Sequence, residues 1–194
     1  MTQADPVRKR LLDAADSILF IDGPVSTRVE EILQRAAAAP ASLYAHFGSK
    51  DGIVIAALRR RLQVWSETWS EAIDAAQTPN DKLLAVFTAL TTYQRDRLTE
   101  RWCAFSATTA ALPYPSEELT KVLAAEDELL KSRLLACAQP IAGDRAAELA
   151  ELVEVCYCGT LTLMLRGTAY EDAIARGHAA ARLTLQAWLA DSHA

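Results

Sequence analysis

The stretch of residues 27–51, TRVEEILQRAAAAPASLYAHFGSKD, limits most strongly what this chain can fold into. Thr27 and Glu30 have the spacing of a capping box, and apolar side chains follow at helical spacing. The first helix is expected to end in the alanine run, because Pro40 suits the first turn of a new helix, where no amide donor is needed. Gly48 can end this second helix, and Ser49 can cap the next one. The stretch therefore predicts two short helices joined by a tight turn.

A pair of short helices with a tight turn is a helix-turn-helix, and its second helix fits the major groove of DNA. The residues at this point resemble a known family. Positions 43–51, LYAHFGSKD, are similar to the L-Y-x-H-F-x-S-K-[DE] signature of TetR-type transcriptional regulators. The close resemblance covers roughly residues 7–58. It implies a regulator with an inducer pocket in its helical body and a dimer formed through the last two helices.

Two departures from the family pattern concern the turn and the second helix. The family usually has Gly-Val-Ser where this chain has Ala37, Ala38 and Ala39. An alanine in the turn must adopt a backbone conformation that glycine takes more easily. Ala39 also lacks a side-chain oxygen to cap the second helix, a loss of roughly 0.5–2 kcal/mol. The exposed positions of this helix are poor in Arg, Asn and Gln, so we expect weak direct readout of bases.

The helix-turn-helix supplies eight candidates for contact with DNA: Thr27, Arg28, Pro40, Ala41, Ser42, Tyr44, His46 and Lys50. We expect Thr27, Arg28 and Ser42 to lie at or near the base edges. The last three of the eight are expected to hold phosphates, which fix the register of the protein on the duplex. For His46, packing within the small domain is the competing interpretation. For the basic residues 8–10, phosphate contact and a charged turn in solvent are equal alternatives.

Length and composition favour a folded, all-helical protein. The chain has 194 residues, enough for one ordinary domain or two small ones, and 51% of them are hydrophobic. We divide it into a three-helix DNA-binding domain, residues 1–48, and an effector-binding and dimerisation domain, residues 49–194, with about nine helices in all. The net charge is −5, but residues 1–61 contain nine basic and seven acidic residues, whereas residues 62–194 contain eleven and eighteen. This weak polarity fits a DNA-binding end and an acidic body.

The N-terminal segment lacks the features of a signal peptide, because the apolar run of residues 18–21 is short and flanked by acidic residues. The uncharged apolar run of residues 155–165 is far too short to cross a bilayer. We therefore expect a cytoplasmic protein with no membrane partner, in which the cysteines are reduced. Cys156 and Cys158 lie two apart on a helix, so they point to different sides and are expected to be buried as small apolar groups.

A helical body is predicted after the helix-turn-helix. Its first helix covers residues 50–76, with an apolar stripe that includes Trp65 and Trp69 and with Arg59, Arg60 and Arg61 on its other faces. Further helices are predicted from residue 79 and over residues 99–112, 116–138, 144–166 and 170–190, with breaks at residues 112–115 and 140–143.

The last two helices carry apolar surface at helical spacing. On the final one, small and apolar residues share one side, where they allow close approach of another helix: Ile174, Gly177, Ala181, Thr184 and Trp188. Together with the family resemblance, this surface predicts a homodimer through a four-helix seam. The competing interpretation is that both helices complete the core of one monomer.

Aromatic residues on the middle helices are candidates for an effector pocket: Trp65, Trp69, Tyr93, Trp102, Phe105 and Tyr157. If their helices converge, they line an aromatic cavity with few polar anchors, among them Gln94, Thr109 and Thr160. Ordinary core packing is the competing interpretation. The three histidines are scattered, and no HExxH, phosphate-loop or G-x-S-x-G motif occurs, so no metal, cofactor or enzymatic activity is expected.

These observations predict a homodimeric transcriptional repressor that a small, largely apolar or aromatic effector releases from operator DNA. Effector binding would shift the long fourth helix and change the distance between the two recognition helices of the dimer. Two alternatives stay open. One is a dimeric ligand sensor or scaffold with weakened DNA binding, which the alanine turn favours, and the other is a small helical enzyme.

Overall fold

The computed structural model describes residues 5–22, 28–100 and 103–191. In this part of the chain all regular structure is helical, which confirms the predicted all-α class. The α-helices are α1 (Pro6–Ser17), α2 (Val29–Ala36), α3 (Pro40–Phe47), α4 (Lys50–Ala75), α5 (Pro79–Thr92), α6 (Ala104–Ala111), α7 (Glu117–Ala142), α8 (Ala146–Leu165) and α9 (Tyr170–Asp191). π-Helical turns at Ile18–Asp22 and Tyr93–Arg97 extend α1 and α5, and a 3-10 turn at Gly143–Arg145 precedes α8.

Two predicted boundaries are wrong. The residue that precedes α2 is Arg28, whose side chain makes no capping bond, and the predicted capping box includes Thr27, which lies outside the described residues. α6 begins five residues later than predicted, because Leu98 leaves the helical region with φ −131° and ψ 85°. α7 continues through Pro140. The amide that proline lacks falls in the last turn of α7, where its absence removes a single hydrogen bond.

The helices divide into two compact units. The first unit comprises Met1–Leu62 and Glu100–Ala124, and the second comprises Gln63–Thr99 and Ala125–Ala194. The first unit therefore contains α1 to α3, the first half of α4, α6 and the start of α7. The boundary placed at residue 48 divides the chain by function, and it stays a prediction.

The core of the first unit forms where α2 and α3 pack against α1. Its fully buried side chains include Leu11, Leu19, Ile32, Leu43, Ile53 and Leu58. On α2 the buried residues Ile32, Leu33 and Ala36 are the apolar positions that helical spacing predicted. Helices as short as α2 and α3 are marginal in isolation, so burial in this core is what holds them in place.

A buried ion pair lies inside the first unit. Arg61 is 0% exposed, so its predicted place on the outer faces of α4 with the two preceding arginines is wrong. Its Nε and Nη2 atoms each donate to a carboxylate oxygen of Asp16 at 2.8 Å, and Nη1 donates to Oε2 of Glu100 at 2.9 Å. The guanidinium also lies over the ring of Phe20, 4.8 Å from its centroid. One side chain thus links α1, α4 and the segment before α6.

Glu100 shares the Arg61 guanidinium with a second carboxylate. Two of the three hydrogen bonds described above go to Asp16 and one goes to Glu100. The Glu100 side chain is only 8% exposed. Burial raises the pKa of Glu100 from its ordinary 4.5 to about 7, and the opposing effect of Arg61 does not cancel this. Glu100 therefore changes its charge near neutral pH.

The core of the second unit contains α5, α8 and α9 with the second half of α4 and most of α7. Gly177 on α9 allows a close approach to α8, since a Cβ at this position would lie 1.7 Å from Oγ1 of Thr160. Ile174 and Ala181 on the same side are also buried in this core. The prediction that these residues form the seam between two copies is wrong, because they are buried within one chain.

Replacing Arg61 with leucine is expected to destabilise the protein by about 3–5 kcal/mol, because the buried Glu100 loses its cation and the buried Asp16 keeps only Arg60, 3.4 Å away. The matched control is Arg59→Leu on the same helix. Arg59 lies 3.2 Å from Glu118, but both side chains are more than half exposed. A loss of at most about 1 kcal/mol is expected there. Urea denaturation followed by circular dichroism measures both variants. Equal losses would show that the buried pair stabilises the fold no more than a surface pair.

Glu100 is expected to make the stability of the protein depend on pH. A pKa that is raised in the folded state favours folding fully below pH 4.5, and this contribution is lost as the pH rises through about 7. Glu100→Gln stays neutral, so it should flatten the fall in the free energy of unfolding between about pH 5 and 8. Denaturation midpoints across this range test the expectation. A variant whose midpoint follows that of the wild type at every pH would contradict the raised pKa.

Candidate nucleic-acid interface

The turn between α2 and α3 has the conformation that the sequence predicted. Ala37 ends α2 with φ 47° and ψ 52°, in the left-handed region that glycine adopts more readily. The amides of Ala37 and Ala38 donate back to carbonyl oxygens of α2. Ala39, the residue before α3, makes no side-chain capping bond. The packing of α2 and α3 therefore maintains a turn that its own residues disfavour.

One side of α3 is anchored in the core and the other side is accessible. Leu43 is fully buried. The outer face of α3 consists of the exposed residues Pro40, Ala41, Tyr44 and Ala45. Tyr44 is the largest of them and is 55% exposed. Ser42 and His46 are half-buried at the margins of this face.

A tight connection joins α3 to α4 and places Lys50 at its end. Gly48 has φ 73°, and the hydroxyl of Ser49 accepts from the amide of Gly52 at 3.0 Å, so both predicted capping roles are confirmed. A Cβ at Gly52 would lie 1.8 Å from the carbonyl oxygen of Phe47. No sequence pattern indicates this need for glycine, because it arises only when the chain folds back on itself. Lys50 begins α4 and is half-buried.

His46 and the basic residues of α1 have partners inside the first unit. Nε2 of His46 lies 3.4 Å from Oδ2 of Asp5. The guanidinium of Arg8 lies over the aromatic ring at the end of α3, 5.3 Å from the centroid. Lys9 and Arg10 also bind acceptors within this unit. These contacts give each residue a structural role, and contact with phosphates stays a prediction.

The remaining DNA-contact predictions fall at the start of α2. Arg28 is exposed and immediately precedes this helix. Thr27 lies outside the described residues. Every candidate that the structure describes therefore belongs to one compact unit of short helices, as a small DNA-binding domain requires.

Four of the predicted effector-binding residues form an aromatic cluster in the second unit (Trp65, Trp69, Tyr93 and Tyr157). The ring of Trp65 contacts the other three, with centroid distances of 5.6, 5.7 and 6.0 Å. All four side chains are buried. Trp102 lies outside the described residues. The sequence thus predicted the convergence of three helices, α4, α5 and α8, through their aromatic residues.

The remaining effector-site predictions lie in different places. Phe105 and Thr109 belong to α6 in the first unit, and Thr109 is exposed. Gln94 and Thr160 are buried in the second unit, where Thr160 donates back to its own helix. Nε1 of Trp69 is buried and has no hydrogen-bond acceptor among the described residues, a feature that no sequence pattern reports. Arg133 lies over the same indole, 5.1 Å from its centroid.

The two free cysteines of α8, Cys156 and Cys158, are not buried as predicted. Cys158 is exposed and Cys156 is half-buried, so the expectation that both are buried is wrong. One side of α8 remains outside the core of its unit, and Cys158 lies on that side. Within the described ranges, no group of His, Cys, Asp and Glu side chains is arranged to hold a metal ion. The helices of those ranges include none with the length and apolarity to cross a membrane.

Comparison with known proteins agrees with this geometry. Residues 11–57 match the family model of bacterial regulatory proteins, tetR family. The chain is 26% identical over 149 residues to the HTH-type transcriptional regulator BetI of Brucella anthropi, with 76% of each protein covered. It is 29% identical over 136 residues to BetI of Rhizobium meliloti, covering 68% of this chain and 64% of that protein. A TetR-family transcriptional regulator from Streptomyces coelicolor shares the fold, with a TM-score of 0.85 and 18% identity over 96% of this chain and 92% of that one.

A helix-turn-helix with an accessible second helix, followed by a helical body, defines a DNA-binding transcriptional regulator. The family model covers residues 11–57 and the relatives are HTH-type transcriptional regulators, so the chain is similar to the TetR family of bacterial regulatory proteins. These relatives are transcriptional regulators rather than enzymes, which confirms the prediction of a non-enzymatic protein.

Lys50→Ala is expected to weaken binding to every DNA sequence and to lower the slope of log K against log salt by about 1, because one phosphate contact is lost. The matched control is Lys131→Ala, which removes an exposed lysine paired with Asp127 on α7. Fluorescence anisotropy of a labelled duplex, titrated at several salt concentrations, measures both variants. An unchanged affinity and slope would remove Lys50 from the contact surface.

Proposed function

We propose that the protein is a homodimeric transcriptional repressor, which a small, largely apolar or aromatic effector releases from its operator. The observation that carries this proposal is the outer face of α3. This helix is anchored through Leu43 on one side and offers small and aromatic side chains on the other. A second helix with this exposure can enter the major groove, while Lys50 would meet a phosphate and Arg28 would lie at or near the base edges beside it.

Support for a homodimer comes from the sides of α8 and α9 that point away from the core of the second unit. On α8, Leu152, Val155 and Leu165 are 44%, 70% and 60% exposed. On α9, Leu183 is 62% exposed. We define these residues as the outer apolar surface of α8 and α9. A second copy of the chain that covers this surface would remove it from water and form a four-helix seam.

Support for an effector comes from the aromatic cluster in the second unit. Its rings offer apolar contact area, and Nε1 of Trp69 offers a buried donor for an acceptor atom of the ligand. Leaving such a donor unsatisfied costs about 1–3 kcal/mol, so a ligand with an acceptor at this point would recover that energy. α4 carries Trp65 and Trp69 and also begins beside the helix-turn-helix. A shift of α4 on effector binding would change the spacing of the two recognition helices.

One observation favours a second candidate function, a dimeric ligand sensor or scaffold with weakened DNA binding. The left-handed Ala37 and the uncapped start of α3 both lower the stability of the recognition helix. In this candidate the outer apolar surface still forms the dimer and the aromatic cluster still binds an effector, but α3 no longer binds DNA. As a repressor the protein would act in the cytoplasm, where the DNA of a bacterium lies.

A gel-shift assay with the DNA upstream of the protein's own gene tests the proposal. We expect binding to a site with two half-sites about 34–36 Å apart, centre to centre. Val155→Arg places a charge on the outer apolar surface and should lower dimerisation and DNA affinity by at least about tenfold, because a buried unpaired charge costs several kcal/mol. The matched control is Ala125→Arg, at an exposed position of α7 in the same unit.

Analytical ultracentrifugation reports the oligomeric state of each variant, and circular dichroism reports its fold. A Val155→Arg variant that stays dimeric at the wild-type dissociation constant would contradict the proposed seam. A wild-type dimer that binds no upstream DNA, but whose tryptophan fluorescence responds to apolar ligands, would favour the sensor over the repressor.

A further inference from the structure

We infer that the outer face of α3 recognises thymine methyl groups, and that A·T pairs of the operator half-site lie beneath Ala41 and Ala45. The inference rests on the proposed function, because it concerns the same surface and adds the kind of base that this surface selects. That DNA is the ligand follows from the helix-turn-helix and from the match of residues 11–57 to the family model, independently of the side chains that the face presents.

The outer face offers carbon almost throughout. Pro40, Ala41 and Ala45 have no hydrogen-bonding atom in their side chains, and Tyr44 has one hydroxyl at the end of a ring. Ala41 and Ala45 lie one helical turn apart, so their methyl groups are neighbours on the helix surface. The face therefore lacks the bidentate donors and acceptors with which Arg recognises guanine and Asn or Gln recognises adenine.

The polar side chains of α3, Ser42 and His46, are not free to supply such donors and acceptors to a base. Ser42 is half-buried. His46 is also half-buried, and its Nε2 lies 3.4 Å from a carboxylate oxygen of Asp5. Arg28 and Lys50 precede α2 and follow α3, respectively, so they flank the helix pair. A contact of Lys50 with a phosphate positions the protein without reading sequence, and a base contact of Arg28 would add readout at the start of α2 rather than on the outer face of α3.

Base pairs differ in what they present to an apolar face in the major groove. Thymine carries a C5 methyl group, which alanine side chains contact favourably. Guanine presents two acceptors and cytosine an amino donor, while adenine presents one acceptor and one amino donor and thymine an acceptor of its own. Polar atoms are therefore desolvated at either pair, and the C5 methyl group is the apolar feature that only A·T provides. The face formed by Ala41 and Ala45 thus gains at thymine, and this gain selects A·T.

The experiment begins with selection of binding sites from a random DNA pool by the full-length protein at fixed salt. Each thymine of the selected half-site is then replaced singly by uracil, which removes only the C5 methyl group. We expect binding to weaken roughly fourfold at one or two positions, which corresponds to about 0.8 kcal/mol for one buried methyl at about 1.4 kcal/mol per tenfold. In Ala41→Gly or Ala45→Gly, the effect of uracil at the matching thymine should disappear.

Two controls separate readout from folding. Ala125→Gly introduces glycine at an exposed position of α7, and its sensitivity to uracil should equal that of the wild type. If glycine in α3 lowers the helix content seen by circular dichroism, Ala41→Ser and Ala45→Ser take its place, because serine keeps the helix and puts a hydroxyl against the thymine.

The possible failures are distinguishable. Specific binding to the selected site without sensitivity to uracil at any thymine would overturn the methyl readout and leave the proposed DNA binding intact. A half-site in which G·C pairs carry the discrimination would also overturn it. A pool that yields no specific sequence would overturn the proposed function and the readout together.

Discussion

The guanidinium of Arg61 holds the first unit together from within. It is fully buried, and it joins Asp16 of α1 and Glu100 to α4 through three hydrogen bonds. Charges at this depth are tolerated only when they are paired, because an uncompensated buried ion costs several kcal/mol. α1 and the first half of α4 are therefore fixed against each other. α2 and α3 pack on α1, so the position of the recognition helix depends on a pair that it does not touch.

This support explains how the helix-turn-helix tolerates an unfavourable turn. A left-handed conformation at Ala37 costs roughly 1–2 kcal/mol relative to glycine-like freedom, and a missing cap before α3 costs roughly 0.5–2 kcal/mol more. Full burial of one leucine or isoleucine contributes about 1.5–3 kcal/mol. Ile32 and Leu43 are both fully buried. Burial of these two side chains therefore offsets the cost of the turn, and α3 keeps its outer face for other contacts.

The same division between an anchored side and an open side recurs in the second unit. α8 and α9 pack so closely that Gly177 lies against Thr160, and their opposite sides carry exposed apolar residues such as Val155 and Leu183. The aromatic cluster lies inside, with the indole Nε1 of Trp69 lacking an acceptor in the described part of the chain. An apolar exterior and an unsatisfied interior are both costly for an isolated chain. In the proposed function, a second copy of the chain would cover the exposed apolar residues, and an effector would supply an acceptor for Nε1 of Trp69.

By itself the sequence determined the class of the protein and the place where α2 ends and α3 begins, whereas core packing holds the left-handed turn at Ala37 that the sequence predicted. Capping residues, prolines and glycines act within a few residues, so their effect does not depend on distant packing. Only the tertiary structure decided that Arg61 is buried, that Cys158 is exposed and that Gly177 faces its own chain. Helical periodicity shows which residues share a side, but burial depends on which other helix covers that side. That choice is made by contacts between residues far apart in the chain, which a local pattern does not contain.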